Sequence, residues 1–228
     1  MITDLYVIVE RGMFDSDGKW LSVLQGLAGL EVPGLALQVR TKQCPGADHE
    51  RLAREAAACT RDSPVPVLLN GSEQLATSLG FAGVHWPEAD IPAQRCKGGL
   101  AGASVHSLHA LRRAEVAAAD FAVFGTVFAA GSKPVDGVGV SALRALASAA
   151  AIPLLAIGGV TPERVRACLV AGASGVAAVT GVLHARDPAA AVAAYVTALR
   201  EARSSIPPHR PSAEHHRSPR KESQDDDH

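Results

Sequence analysis

The sequence predicts an α/β protein, a single (β/α)8 TIM barrel with a disordered C-terminal tail, and three observations carry that expectation. Eight short apolar runs recur along the chain, the count of a compact barrel. Longer Ala-, Leu- and Arg-rich segments separate them. The runs are continuously apolar, as expected of parallel strands covered on both faces. A doubly wound open sheet shows the same alternation, but no glycine fingerprint follows the first run.

The expected strands are Leu5–Val9, Ala36–Val39, Val67–Asn70, Gly83–Trp86, Ala101–Ser104, Phe121–Gly125, Leu154–Ile157 and Gly175–Val179. Helical patterns fall over His49–Thr60, Leu108–Ala118, Ser141–Ala150 and Pro162–Ala171. Thr161-Pro162-Glu163 and Asp187-Pro188 are helix starts, each a capping residue followed by a proline whose φ suits the first turn.

At 228 residues the chain is long enough for a full core, with 22 basic and 23 acidic residues. That balance gives no attraction to nucleic acid or to an anionic membrane. The N-terminus lacks a basic stretch leading into a signal core. The apolar stretch Ala145–Val160 is broken by Ser148, Pro153, Gly158 and Gly159 and is too short to span a bilayer. Cys44, Cys59, Cys96 and Cys168 include no C-x-x-C pair, as expected of reduced thiols in a cytoplasmic protein.

Composition changes at Arg203. Residues 1–203 are expected to form the barrel, and residues 204–228, rich in Pro, His and charge, a disordered polar tail. The tail holds His209, His215, His216 and His228 without a repeated ligand spacing, so solvated histidines are expected rather than a metal site. Eighteen residues of each charge sign remain in the body, which is neutral.

Chemistry in such a barrel gathers where the strands end. Alternation along the second strand places Gln38, Arg40 and Lys42 on one side, facing inward. Two cations and an amide in a barrel mouth call for an anionic ligand; the alternative is a solvated strand end with both cations reaching outward. Asn70 ends the third strand, as a turn or cap residue or as a ligand contact. His85, inside an apolar strand, reads as an interior hydrogen-bonding residue rather than a metal ligand. Asp90 can hold Mg²⁺ beside a phosphate or cap the turn at Ile91-Pro92. After the seventh strand come Gly158-Gly159 and a helix start; after the eighth come Val179-Thr180-Gly181. Glycines there let backbone N–H groups approach a phosphate, at the recurrent phosphate position of this fold. Lys133 lies in the long segment Thr126–Val138, the size of a functional loop.

The segments LQVRTK, LLNGS, GVHWPEADIP, GASVHS, FGTVFAAGSKP, AIGGVTPERV and AGASGVAAVTG, in this order and spacing, resemble the thiamin phosphate synthase and TenI superfamily over residues 4–200. The resemblance implies a TIM barrel that holds a thiazole phosphate in its last two loops. In the synthase branch it implies coupling of that phosphate to hydroxymethylpyrimidine diphosphate, with release of pyrophosphate. Gln38, Arg40, Lys42, Asn70, Ser104 and Lys133 match positions that hold the pyrimidine or its diphosphate, with Arg40, Ser104 and Lys133 as the catalytic ones. Asp90 matches one of two Mg²⁺ carboxylates, and the place of the other is Gly71.

The TenI branch, a cofactor-free thiazole tautomerase, often carries Asn-Gly there, and GASVHSL is similar to it. That branch uses a histidine where this chain has Thr126, which cannot take up a proton near neutral pH. His106 could replace it but is expected to face the helix that follows. Ala130 and Ser132 stand where the synthase branch often has a Thr-x-Thr pair. A catalytically inactive, regulatory thiazole-phosphate-binding protein is the third reading. The expected partners are small-molecule substrates, and the family suggests a homo-oligomer.

Overall fold

The computed structural model describes residues 3–206 except 43, 45, 95–97 and 130–136. Eight parallel strands close into a barrel in sequence order: β1 (Leu5–Glu10), β2 (Leu35–Arg40), β3 (Val67–Asn70), β4 (Gly83–Trp86), β5 (Leu100–Val105), β6 (Phe121–Phe124), β7 (Leu154–Ala156) and β8 (Gly175–Ala178). β8 pairs with β1 through Leu5 and Val176, which closes the ring. Every expected strand forms, with ends shifted by a residue or less. The open-sheet alternative is excluded.

The helices are α1 (Asp17–Ala28), α2 (Gly46–Cys59), α3 (Glu73–Leu79), α4 (Leu108–Val116), α5 (Gly139–Ala149), α6 (Pro162–Val170), α7 (Thr180–Leu183) and α8 (Pro188–Ser205). Short 3-10 turns occupy Arg11–Met13 and Glu88–Asp90. Local chemistry starts several helices. Ser16, Ser72 and Ser107 accept the backbone N–H of Lys19, Leu75 and Ala110, and Asp187 accepts two N–H groups at the head of α8. α8 runs through Ser205, two residues beyond the expected boundary at Arg203. The rest of the expected tail, from residue 207, lies outside the described residues.

Two apolar layers explain the continuous runs. Outward strand residues such as Val7, Leu37 and Val105 pack under the helices against Trp20, Leu52 and Leu111. Inward residues Tyr6, Ile8, Ala36, Leu68, Phe121, Val123, Leu155 and Ala177 fill the barrel. The inward set follows period two along each strand, so the next inward positions toward the strand ends are Glu10, Gln38, Arg40, Asn70, His85 and Ser104. The site rests on this change from apolar to polar.

Candidate active site

Three of these polar groups, Gln38, His85 and Ser104, join Tyr6 in a largely buried network on the barrel floor. Gln38 and His85 are each 1% exposed. The Gln38 side-chain amide donates to the Tyr6 hydroxyl at 3.3 Å, Tyr6 Oη meets His85 Nδ1 at 3.4 Å, and His85 Nε2 meets Ser104 Oγ at 2.9 Å. Phe121 stacks edge-on against Tyr6, with ring centroids 5.1 Å apart. Burial, and then the nearby charge of Arg40, pushes the His85 pKa down to about 3, so its ring is neutral at physiological pH. Burial also pushes the Tyr6 hydroxyl well above the usual phenol range, which keeps its proton in place. His85 is an interior hydrogen-bonding residue. Asn70 does not cap a helix: its amide donates to the His85 carbonyl at 3.2 Å, while Ser72 caps α3.

The rim above differs from expectation in one respect. Arg40 is half-buried and paired with Glu10, its cross-strand neighbour, at 2.7 Å. Two cations therefore do not stand uncompensated. Arg40 is neutralised within the barrel, while Lys42 is exposed. Glu10 Oε1 is buried and has no hydrogen-bond partner among the described residues. Glu10 and Tyr6 join the candidate site through these contacts, and reading by residue type missed both. The same period-two alternation that placed Gln38 inward places both of them beside it.

Next to the polar floor, Asp90 sits exposed in the 3-10 turn after β4. It lines a cavity of about 350 Å³ with Gly71, Glu73, Trp86 and Gln94. Gly71 has φ +127°, in the region that favours glycine. A side chain there would point at His49, whose Nε2 would lie 3.9 Å from the added carbon. His49 Nδ1 in turn meets Thr41 Oγ1 at 2.5 Å. His49 therefore faces the place of the second carboxylate, a juxtaposition of residues 49 and 71 that no local motif announces.

The opposite flank is built from backbone. Gly158 and Gly159 take φ of +95° and +57°. A β-carbon on Gly158 would lie 2.5 Å from Thr126, and one on Gly159 would lie 2.8 Å from the carbonyls of Phe128 and Ala129. The crowding therefore comes from the chain after β6 rather than only from a ligand. Phe128 N–H donates to the Gly158 carbonyl at 3.0 Å, and Arg164 holds the Gly159 carbonyl at 2.7 Å while covering the Phe128 ring. Val179 precedes α7, and Thr180 and Gly181 begin it, where the first N–H groups of a helix have no carbonyl partner within it. The buried Tyr195 hydroxyl donates to the Val160 carbonyl at 2.7 Å, and a β-carbon on Gly181 would meet the same hydroxyl. One side chain of α8 thus underlies both glycine loops.

Thr126 lies beside Gly158 at the mouth. His106 is exposed and pairs with Glu88 at 2.6 Å, in the rim turn whose Glu88 carbonyl accepts from Arg113 of α4. Lys133, Ala130 and Ser132 lie outside the described residues.

The geometry can be set against known proteins. Residues 5–182 match the family model described as thiamine monophosphate synthase. The chain belongs to the thiamine monophosphate synthase family. Among relatives, the thiamine-phosphate synthase of Moorella thermoacetica is 32% identical over 195 residues, covering 82% of this chain and 91% of the relative. That of Haloarcula marismortui is 34% identical over 210 residues, covering 88% and 98%. The solved thiamine phosphate pyrophosphorylase from Pyrococcus furiosus superimposes with a TM-score of 0.71 at 25% identity, over 88% of this chain and 96% of that one. The synthase family thus spans the whole barrel, including both flanks of the mouth. No helix among the described residues is long and apolar enough to cross a membrane.

Proposed function

We propose that this chain couples hydroxymethylpyrimidine diphosphate to thiazole phosphate, giving thiamin phosphate and pyrophosphate. One observation supports the reading beyond family membership: a buried polar floor made of Gln38, Tyr6, His85 and Ser104 faces two glycine loops across one barrel mouth. Gln38, Asn70 and Ser104 orient the pyrimidine, and Arg40, Lys42 and Lys133 take the diphosphate. Gly158, Gly159, Val179, Thr180 and Gly181 hold the thiazole phosphate with backbone N–H groups. The carbon–oxygen bond to the diphosphate breaks as positive charge develops on the electron-rich pyrimidine, and the thiazole nitrogen then forms the new carbon–nitrogen bond. No general base is required. The chain's task is to neutralise the leaving group and to align the nucleophile, and one charge-assisted contact of this kind lowers the barrier by about 3 kcal/mol.

The donor set fits Mg²⁺, which takes one or two carboxylates and completes its shell with substrate phosphates and water. Asp90 would hold it, with Glu73 on the same cavity wall. When bound, the ion offsets negative charge on the leaving diphosphate. The enzyme acts on small molecules in the cytoplasm, and a homo-oligomer follows the family.

The tautomerase reading is disfavoured by three side chains: Thr126 cannot carry a proton, His85 is buried and neutral, and His106 points outside at Glu88. Purified protein incubated with both substrates and Mg²⁺ is expected to form thiamin phosphate, with loss of turnover in chelator. Aromatisation of thiazole carboxylate phosphate in chelator without that coupling would establish the tautomerase instead. Calorimetric binding of thiazole phosphate with no turnover in either assay would establish an inactive binding protein.

A further inference from the structure

We propose that Tyr6 and His85 form a one-way hydrogen-bond relay that fixes the Ser104 hydroxyl as a donor toward the bound pyrimidine diphosphate, making both of them positioning residues for the coupling. The inference rests on the reading above that Ser104 meets that substrate. Its direction follows from counting protons. The Gln38 amide donates to Tyr6 Oη, so Tyr6 turns its own proton elsewhere, and the acceptor in reach is His85 Nδ1. An uncharged imidazole carries one proton. With Nδ1 accepting, that proton sits on Nε2 and is donated to Ser104 Oγ at 2.9 Å. Ser104 then has an occupied lone pair and a hydrogen left for the mouth. It meets an acceptor atom of the substrate with a donor in place before the substrate arrives.

The reversed chain is the rival. There Ser104 donates to His85, Nδ1 carries the proton, Tyr6 donates to the Gln38 side-chain oxygen, and Ser104 offers the substrate a lone pair that repels an acceptor. The Gln38 amide selects the first, because its nitrogen rather than its oxygen faces Tyr6 Oη. Phe121 and Tyr6 pack against the imidazole, and Arg40 is the charge that acts on it. Tyr6 and His85 do not touch the substrate; they act through Ser104.

Nitrogen-15 spectra of histidine-labelled full-length protein test the relay, with the His85 signals assigned by their loss in His85→Gln. The Nε2–H tautomer, unchanged between about pH 5 and 8, is expected. An Nδ1–H tautomer or a titrating ring overturns the proposal. In Tyr6→Phe, which keeps the ring and removes the proton, a share of Nδ1–H tautomer is expected to appear. kcat is expected to fall about tenfold, the weight of one hydrogen bond, with KM for the thiazole phosphate unchanged. An unchanged tautomer in that variant overturns the relay whatever happens to activity. Glutamine can place an N–H near the Nε2 position and asparagine near Nδ1, so His85→Gln is expected to keep more activity than His85→Asn. Equal losses count against the relay. A wild-type protein that makes no thiamin phosphate refutes the proposed function, and the tautomer measurement still decides the relay.

Discussion

The two flanks of the barrel mouth are built by different means. The β1–β5 side presents side chains: Glu10, Gln38, Arg40, Asn70, His85 and Ser104, held in strands and already bonded to one another. The β7–β8 side presents backbone, shaped by Gly158 and Gly159 at positive φ and braced by Tyr195 and Arg164. A side-chain flank can lose one group and keep its frame, because the strand backbone does not depend on it. A backbone flank has no separable parts. A change at one glycine moves the neighbouring loop as well as the binding groups.

The largest effect is therefore expected at Gly158→Val. The new side chain meets Thr126 at a φ that β-branched residues avoid, at a cost of about 2–5 kcal/mol from strain and overpacking together. Calorimetry is expected to show loss of thiazole phosphate binding, and thermal melting a clear fall. Gly159→Val follows the same logic, and because its β-carbon meets Phe128 and Ala129, a lower melting temperature is expected there too. Retention of parental affinity in both variants would remove the phosphate from β7 and β8.

Next comes His85, through pH. Its pKa is about 3 in the fold against 6.5 when exposed, so the unfolded chain binds more protons between those values. Stability is expected to rise with pH across that window and to level off above it, by a few kcal/mol in all. His85→Gln should flatten the profile in denaturant titrations from pH 4 to 7, and a slope equal to that of the parent would mean the imidazole is not the titrating group.

Smaller effects belong to the Glu10–Arg40 pair. Arg40→Ala leaves a mostly buried carboxylate without its cation and is expected to cost about 1–2 kcal/mol. Glu10→Gln removes the charge that Arg40 shares with any incoming diphosphate, so pyrophosphate is expected to bind several-fold more tightly in calorimetry. Weaker binding would mean that Glu10 chiefly holds Arg40 in position. The smallest change is expected for Gly71→Asp, about 1 kcal/mol of backbone strain against one added carboxylate. A lower Mg²⁺ requirement in turnover would show that the second carboxylate can be restored from this backbone.

The two flanks were also unequally legible in the sequence. The strands, and with them the barrel, could be read because continuous apolar runs mark parallel strands buried on both faces. Gln38 and Arg40 followed from alternation, and Gly158 and Gly159 from their place after the seventh strand. What stayed hidden was partnership. Nothing local joins Glu10 to Arg40, Tyr6 to His85, or His49 to the space beside Gly71; barrel closure brings them together from separate β/α units. The reason for glycine at 158 and 159 was hidden for the same cause, since the atoms that exclude a β-carbon lie on the segment after β6.

At the opposite end, Arg203 bonds both Asp4, just before β1, and the carbonyl of Ser174, just before β8. The clasp brings the last turn of the final helix back to the point where the first strand enters the barrel, on the face away from the substrates. Both ends of the described residues therefore lie on the blind side of the barrel. A fusion partner, affinity handle or surface tether joined after Ile206 starts from there, and the protein can be displayed with its entrance turned outward to receive two substrates in succession.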